Sequence, residues 1–270
     1  MTNVIWQVDF YRHSQQDKTG KTTWELLICT PTRDFEYITT CPQSEANSHW
    51  LTAQFQQCCH GNLPNLIQVF RPQSLSLITV AANNLNIKVE ATRHTLSLKK
   101  WLQEKRYPLI IDQPPPVPLP ENLWGEKWGF VSIPAGDLIA EFAERPIPCL
   151  QIPEFLTPIH LGLASTVTIP GVVIYGGKLS LYLARWLQET KPASLNYISG
   201  APDGLVLDAD LADRWIIATF EDPEVAKSAQ MYEQRKVTSK GLHFLLVQPD
   251  ESGVTYSGFW LLHDGKHILL

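Results

Sequence analysis

Three short stretches near the start of the chain, residues 6–11, 24–30 and 35–40, are rich in aromatic, β-branched and other apolar residues, and the first alternates apolar with polar positions. Period-two patterning predicts strands, and the polar turns Asp17-Lys18-Thr19-Gly20 and Pro31-Thr32-Arg33-Asp34 between them predict antiparallel hairpins. The period then lengthens. Ser44 is placed to cap a helix whose apolar positions Ala46, Trp50, Leu51, Phe55 and Cys58 follow helical spacing. Residues 66–70 are apolar but for Gln68, as in a strand buried on both faces. Leu75, Ile78, Ala82 and Leu85 mark a second helix, Ile87, Val89 and Ala91 a further strand, and Leu98, Trp101 and Leu102 a third helix. The predicted order is βββαβαβα, three antiparallel strands followed by parallel crossover units.

A break follows. Residues 108–127 carry Pro108, Pro114, Pro115, Pro116, Pro118 and Pro120. Proline removes backbone donors and fixes φ, so neither a helix nor a central strand is expected there, and an extended connector is. The second half reads as a separate α/β domain. Strand 129–133 leads to helix 135–144, and strand 172–175 to a helix with Leu179, Leu183, Trp186 and Leu187 on one face. Residues 205–208 and 215–220 predict a hairpin. Asp222-Pro223-Glu224 is a cap followed by proline at the first helical position, opening a helix that should stop near Gly241. A last hairpin, 242–247 with 254–262, closes the chain. The expectation is therefore an α/β protein of two domains, 1–107 and 128–270, joined by a Pro-rich linker at 108–127.

The 270 residues are 44% hydrophobic and 18% charged, which suits a globular protein of one large or two ordinary domains. The net charge of −5 gives no global pull toward nucleic acid or lipid. Its distribution is uneven: 11 Lys/Arg face 8 Asp/Glu through Tyr107, whereas 11 face 19 beyond it. A polyanion would meet the first half. The five cysteines, without a CxxC, read as reduced buried thiols. The first residues do not read as a targeting presequence, so none is expected, and residues 159–177 are too interrupted by Pro170 and small polar residues to read as a membrane span. The expected location is cytoplasmic.

The element order of the first half matches a ribonuclease-H-like mixed sheet, and that comparison can be tested at its acids. Nucleases of this architecture need carboxylates converging on divalent metals. Asp9 lies in the first strand and Glu45 is placed in the first turn of the first helix, but the fourth strand ends in Phe70-Arg71-Pro72 and the fifth in Arg93-His94-Thr95. Two acids and two basic replacements leave the acid set incomplete, so no catalytic residue, metal site or cofactor is assigned and the chain is read as a non-enzyme. A metal-dependent nuclease using Asp9 and Glu45 stays as an alternative. Gly176-Gly177-Lys178 fails the phosphate-loop pattern because Val172 and Leu179 stand at required positions. Asp208, Asp210 and Asp213 lack the glycine turn of a calcium loop.

Residues 88–106 carry a local charge of +4: Lys88, Arg93, Lys99, Lys100, Lys105 and Arg106 against Glu90 and Glu104. Lys99 and Arg106 are seven apart, hence on one helical face opposite Leu98, Trp101 and Leu102. Arg71 could join them at the same sheet edge. A phosphate backbone wants such a stripe, and the alternative is an ordinary solvated face with Lys100 and Glu104 paired. In Phe259-Trp260-Leu261-Leu262 a period-two strand puts Trp260 on the face opposite Phe259, so either both faces are buried or Trp260 belongs to a contact surface.

Blocks spread along the chain resemble the Tab/Atab family of chloroplast and cyanobacterial RNA-binding proteins. They are Trp6-Gln7-Val8-Asp9-Phe10, Gly20-Lys21-Thr22-Thr23-Trp24-Glu25-Leu26, Arg93-His94-Thr95 with Trp101-Leu102, and Leu119-Pro120-Glu121-Asn122-Leu123 before Trp128. Ile169-Pro170-Gly171, Asp213-Arg214-Trp215, Gly241-Leu242-His243-Phe244 and Gly258-Phe259-Trp260-Leu261-Leu262 continue them. Arg12-His13 depart from the Ser-Arg-Pro-like run usual in the family, so a role of that run does not carry over. The resemblance implies binding of single-stranded A/U-rich leader RNA in support of photosystem I biogenesis through translation, with translation or photosystem assembly proteins as partners. It also implies a cyanobacterial member, or a plastid stromal one in processed form. The RNA surface expected from the residues is Arg71, Lys88, Arg93, His94, Lys99, Lys100 and Arg106. An assembly scaffold acting through protein contacts is the rival reading.

Overall fold

The computed structural model describes residues 4–12, 23–59, 61–107, 109 and 114–265. The chain divides into two compact units, residues 1–112 and 113–270. In the first, strands β1 (Ile5–Tyr11), β2 (Thr23–Cys29) and β3 (Glu36–Pro42) precede helix α1 (Ser48–Cys58). Then come β4 (Leu66–Val69), α2 (Pro72–Asn83), β5 (Lys88–Ala91) and α3 (Leu96–Glu104). This is the βββαβαβα order expected from the pattern. The strands lie side by side as β3-β2-β1-β4-β5, antiparallel on the β2 side of β1 and parallel on the β4 side. The predicted turn at 17–20 lies outside the described residues.

Alternation along β1 divides two cores. Trp6, Val8 and Phe10 pack with Leu51 and Phe55 of α1 and Ile78 of α2 on one face. On the other, Leu27, Cys29 and Phe70 pack with Leu98, Trp101 and Leu102 of α3. Helix α1 starts later than expected. Residues Gln43–Glu45 form a separate 3-10 turn, and Asn47, rather than Ser44, caps α1 by accepting the Trp50 N–H at 2.9 Å. Glu45 is therefore exposed outside the helix.

The second unit begins within the proline-rich segment. There β6 (Val117–Pro118), an edge strand, is followed by β7 (Lys127–Pro134), α4 (Ala135–Phe142), β8 (Cys149–Gln151), β9 (Thr168–Tyr175) and α5 (Ser180–Thr190). Strands β10 (Pro192–Ile198), β11 (Asp203–Ala209) and β12 (Asp213–Phe220) precede α6 (Pro223–Thr238), and β13 (Leu242–Gln248) and β14 (Gly258–His263) end the unit. The described part of the expected linker is not a free connector. β6 pairs with β12 in the sheet β10-β11-β12-β6, and Leu119 and Leu123 are buried. Proline is tolerated because the strand lies at the sheet edge, where a missing N–H leaves no partner unmatched.

The five-stranded sheet β7-β9-β13-β14-β8 is covered on both faces. Trp260 and Leu262 join Leu245, Val247 and Leu187 of α5 in one core, and Phe259 and Leu261 join Phe244 and Phe142 of α4 in the other. Trp260 is fully buried, so the contact-surface reading is corrected: α5 covers the face it points to. Gly171 of β9 sits opposite Phe244 of β13, whose ring occupies the space a side chain would need. Among the described residues, no helix is long and apolar enough to cross a membrane.

Candidate nucleic-acid interface

β1, β4 and β5 run parallel, so their carboxyl ends lie at one edge of the first unit's sheet. Ligands of open α/β sheets bind at such ends. Here the chain leaves β1 at Tyr11-Arg12, β4 at Phe70-Arg71 and β5 at Thr92-Arg93-His94. The first turn of α3 completes the edge. Its cap position, Thr95, makes no side-chain capping bond, and the Gln7 side chain of β1 does that work by accepting the Leu98 N–H at 3.0 Å. Gln7 also donates to Gln68, which donates to Glu90 at 2.8 Å.

Arg71 is not part of an exposed stripe. Its side chain is 1% exposed and grips Asp9, which is fully buried, through Nε to Oδ1 at 2.9 Å and Nη2 to Oδ2 at 3.2 Å. The guanidinium lies 4.2 Å from the Tyr11 ring centroid. Both oxygens of the acid that a metal-dependent nuclease would use are thus held by a guanidinium. Among the described residues, no group of three or more His, Cys, Asp or Glu side chains could hold a metal ion.

Three of the predicted residues come together. Lys99 reaches back along α3 to donate to the Arg93 carbonyl at 2.6 Å, its ammonium 5.3 Å from the Phe70 ring centroid. Burial pushes its amine down to about 8, and the neighbouring Arg93 adds to the shift. His94 is likewise held below the usual imidazole value, first by desolvation and then by Lys99, while Glu90 opposes the shift. An added phosphate would relieve this crowding of positive groups. The Lys99 amine is expected to titrate near pH 8 by side-chain NMR, and unliganded titration above pH 10 would contradict the enclosure. The sign for stability follows: between about pH 8 and the ordinary lysine value the unfolded chain keeps a proton that the folded chain has lost. The buried Lys99 ammonium therefore penalises the folded state below about pH 8, and the penalty is relieved as pH rises through that window.

The others stand apart. Lys88 is exposed at the opposite end of β5. Lys100 is exposed on α3, but its expected partner Glu104 is taken by Arg33, through Nη1 at 2.6 Å and Nη2 at 2.8 Å. Arg106 does not share a helical face with Lys99, because α3 ends at Glu104 and Arg106 adopts φ 59° in the turn that stops it. Arg12 is exposed at the end of β1; the altered family run hides it in the sequence, and its place after the first strand is the signal that points to it.

Two family models together span nearly the whole chain: RNA-binding protein Tab2/Atab2 N terminal over residues 5–105, and the Tab2/Atab2 C-terminal domain over residues 106–263. The chain belongs to the Tab2/Atab2 family of RNA-binding proteins. It is 32% identical to the chloroplastic TAB2 homolog of Arabidopsis thaliana, across 96% of this chain and 74% of that protein. For the chloroplastic homolog of Zea mays the figures are 29%, 96% and 71%. Solved structures of a simian T-cell lymphotropic virus intasome and of the HTLV-2 integrase catalytic core overlap 38% and 40% of the chain. Their TM-scores of 0.27 and 0.26 are too low to show a shared fold.

Of the Tab2/Atab2-like blocks named from the sequence, several are structural. Arg214 pairs with Asp208 at 3.2 Å, and Trp215 packs edge-on against Trp186. His243 is fully buried, its Nε2 accepting the Leu195 N–H at 2.9 Å, which leaves Nδ1 to donate to the Gly241 carbonyl. Asp208 is held by Arg214 and Asn196, and Asp210 lies 3.5 Å from Lys191, so these acids serve separate pairs and not a cation loop. Glu126 rests against Gly177, putting a carboxylate where the rejected phosphate loop would need an anion's space. Arg93-His94-Thr95 differs from these blocks in lying within a charged cluster at a sheet edge.

Proposed function

We propose that this Tab2/Atab2-family chain binds single-stranded A/U-rich leader RNA, mainly through phosphates, and supports photosystem I biogenesis at the level of translation, without catalysis. The RNA would meet Arg93, His94 and Lys99 at the carboxyl ends of β1, β4 and β5, with Arg12 at the end of β1 on the same edge. The supporting observation is the desolvated Lys99 ammonium held over Phe70 beside Arg93, a cluster relieved by an anion. The chloroplastic relatives support the link to photosynthetic gene expression, and the stroma or the cytoplasm of a cyanobacterium is the fitting location. Lys88, Lys100 and Arg106 serve at most as outlying phosphate contacts.

The test is affinity for a labelled A/U-rich RNA at two salt concentrations, in EDTA and in magnesium, with a gel for cleavage. Tight, salt-sensitive binding of intact RNA is expected. Arg93→Glu with Lys99→Gln should weaken binding by about tenfold or more and make the salt slope shallower by about 1.4, two phosphate contacts at ~0.7 each. Lys100→Gln with Arg106→Gln should change affinity less than about threefold. Equal losses in the two pairs would contradict the placement. Magnesium-dependent cleavage abolished by Asp9→Asn would instead restore the nuclease reading.

A further inference from the structure

A concave site lies wholly within the second unit and is not used by the reading above. It is a cleft of about 460 Å³ lined by Trp128 and Phe130 of β7, Thr219 and Phe220 at the end of β12, and Glu224 and Ser228 of α6. β7 and β12 belong to different sheets, and the first turns of α6 supply a third wall. Alternation along β7 puts Trp128 and Phe130 on one face, which brings both rings to the same side of the strand.

Ring geometry distinguishes among ligands. The Trp128 centroid lies 5.4 Å from Phe130 at an interplanar angle of 85°, and 5.5 Å from Phe220 at 43°. Phe220 also stacks on Tyr197 at 19° and Phe130 tilts against Tyr232 at 40°, so the three partly exposed rings present inclined faces and edges to the cleft and no single open parallel face. A nucleobase gains most from one parallel face. A compact cation gains from several negative ring faces turned toward it. The local charge points the same way. Glu224 is exposed in the wall, Glu221 and Asp222 are exposed just before it, and the lining residues include no lysine or arginine. The Asp222 side chain accepts the Glu224 N–H at 2.9 Å, which fixes its charge at this end of α6. A phosphate backbone would meet like charge here, in the half of the chain that carries 19 acidic and 11 basic residues.

We propose that this cleft receives the cationic side chain, arginine or lysine, of a basic extended segment of a protein partner. The inclined rings supply cation–π attraction and Glu224 the counter-charge, while Thr219 and Ser228 offer hydroxyl acceptors at the rim. The surface lies in the other unit from the RNA cluster, so one chain could engage an RNA and a basic protein by separate residues.

The experiment titrates a synthetic peptide with three arginines spaced by glycines into the full chain and follows the Trp128 indole N–H, assigned by its loss in Trp128→Phe. A saturable shift is expected. Affinity should fall about fivefold in Glu224→Gln and in Phe220→Leu, and about tenfold when citrulline replaces arginine in the peptide. Asp137→Asn, an exposed acid on α4, should leave it unchanged. The proposal is overturned by no shift, by equal binding of the citrulline peptide, or by an Asp137→Asn loss matching that of Glu224→Gln, which would mean diffuse charge. It is also overturned if adenosine or uridine monophosphate saturates the Trp128 resonance and displaces the peptide. None of these readings depends on RNA affinity, so the RNA site and the cleft can fail separately.

Discussion

Arg71→Ala is expected to destabilise the first unit by about 3–5 kcal/mol, the cost of removing the guanidinium from a buried carboxylate. The Asp9 side chain is fully buried and Arg71 is 1% exposed, so no solvent compensates for the lost guanidinium. The guanidinium also packs between the Tyr11 and Phe70 rings, with centroids at 4.2 Å and 4.9 Å, and truncation removes those contacts too. Replacing both partners by apolar residues of similar size, Asp9→Leu with Arg71→Met, should recover most of the loss, because the desolvation cost of the pair disappears with it. Urea denaturation of the single and double variants checks both. A single variant within about 1 kcal/mol of the native chain would mean that Asp9 is reached by water, contrary to its burial.

Trp260→Ala should cost about 3–5 kcal/mol, the range for deleting a large aromatic side chain from a packed core. The indole is fully buried among Leu183, Ala184, Leu245 and Leu262, and its ring covers Gly258, which leaves no room for a side chain there. Its Nε1 finds no hydrogen-bond acceptor among the described residues, so Trp260→Phe should cost distinctly less. Thermal or urea unfolding measures this. RNA affinity of the folded Trp260→Phe chain should stay within about twofold of the native value, since the side chain contacts no surface.

Periodicity made most of the fold legible. The two faces of β1 and the apolar stripes of α1, α2 and α3 are recorded in local spacing, and Asp222-Pro223 announced α6 because cap and proline act within one turn. Three strands escaped. β6 contains proline, β8 is only three residues long, and β10 opens with a proline and mixes polar with apolar positions, so none carries a sustained period. The cap moved from Ser44 to Asn47 because a 3-10 turn intervenes, a choice that apolar spacing does not encode.

The site was legible as charge but not as geometry. Arg93, His94 and Lys99 are close in sequence, so their proximity could be read directly. The partner of Arg71 lies 62 residues away in β1, and only the parallel pairing of β1 with β4 brings Asp9 beneath it. Arg106 followed the helical period on paper, yet the turn that ends α3 takes it off the face. The aromatic cleft draws Trp128, Phe130 and Phe220 from two sheets, and each ring alone reads as an ordinary core residue.

The central claim is that RNA meets the first unit at the carboxyl ends of β1, β4 and β5. Photo-crosslinking of the full chain to A/U-rich RNA carrying 4-thiouridine, with peptide mapping of the adducts, tests it most directly. The account predicts adducts at Tyr11, Arg12 or the Arg93–Lys99 segment, suppressed by salt. Adducts concentrated in residues 128–262, insensitive to salt, would contradict it.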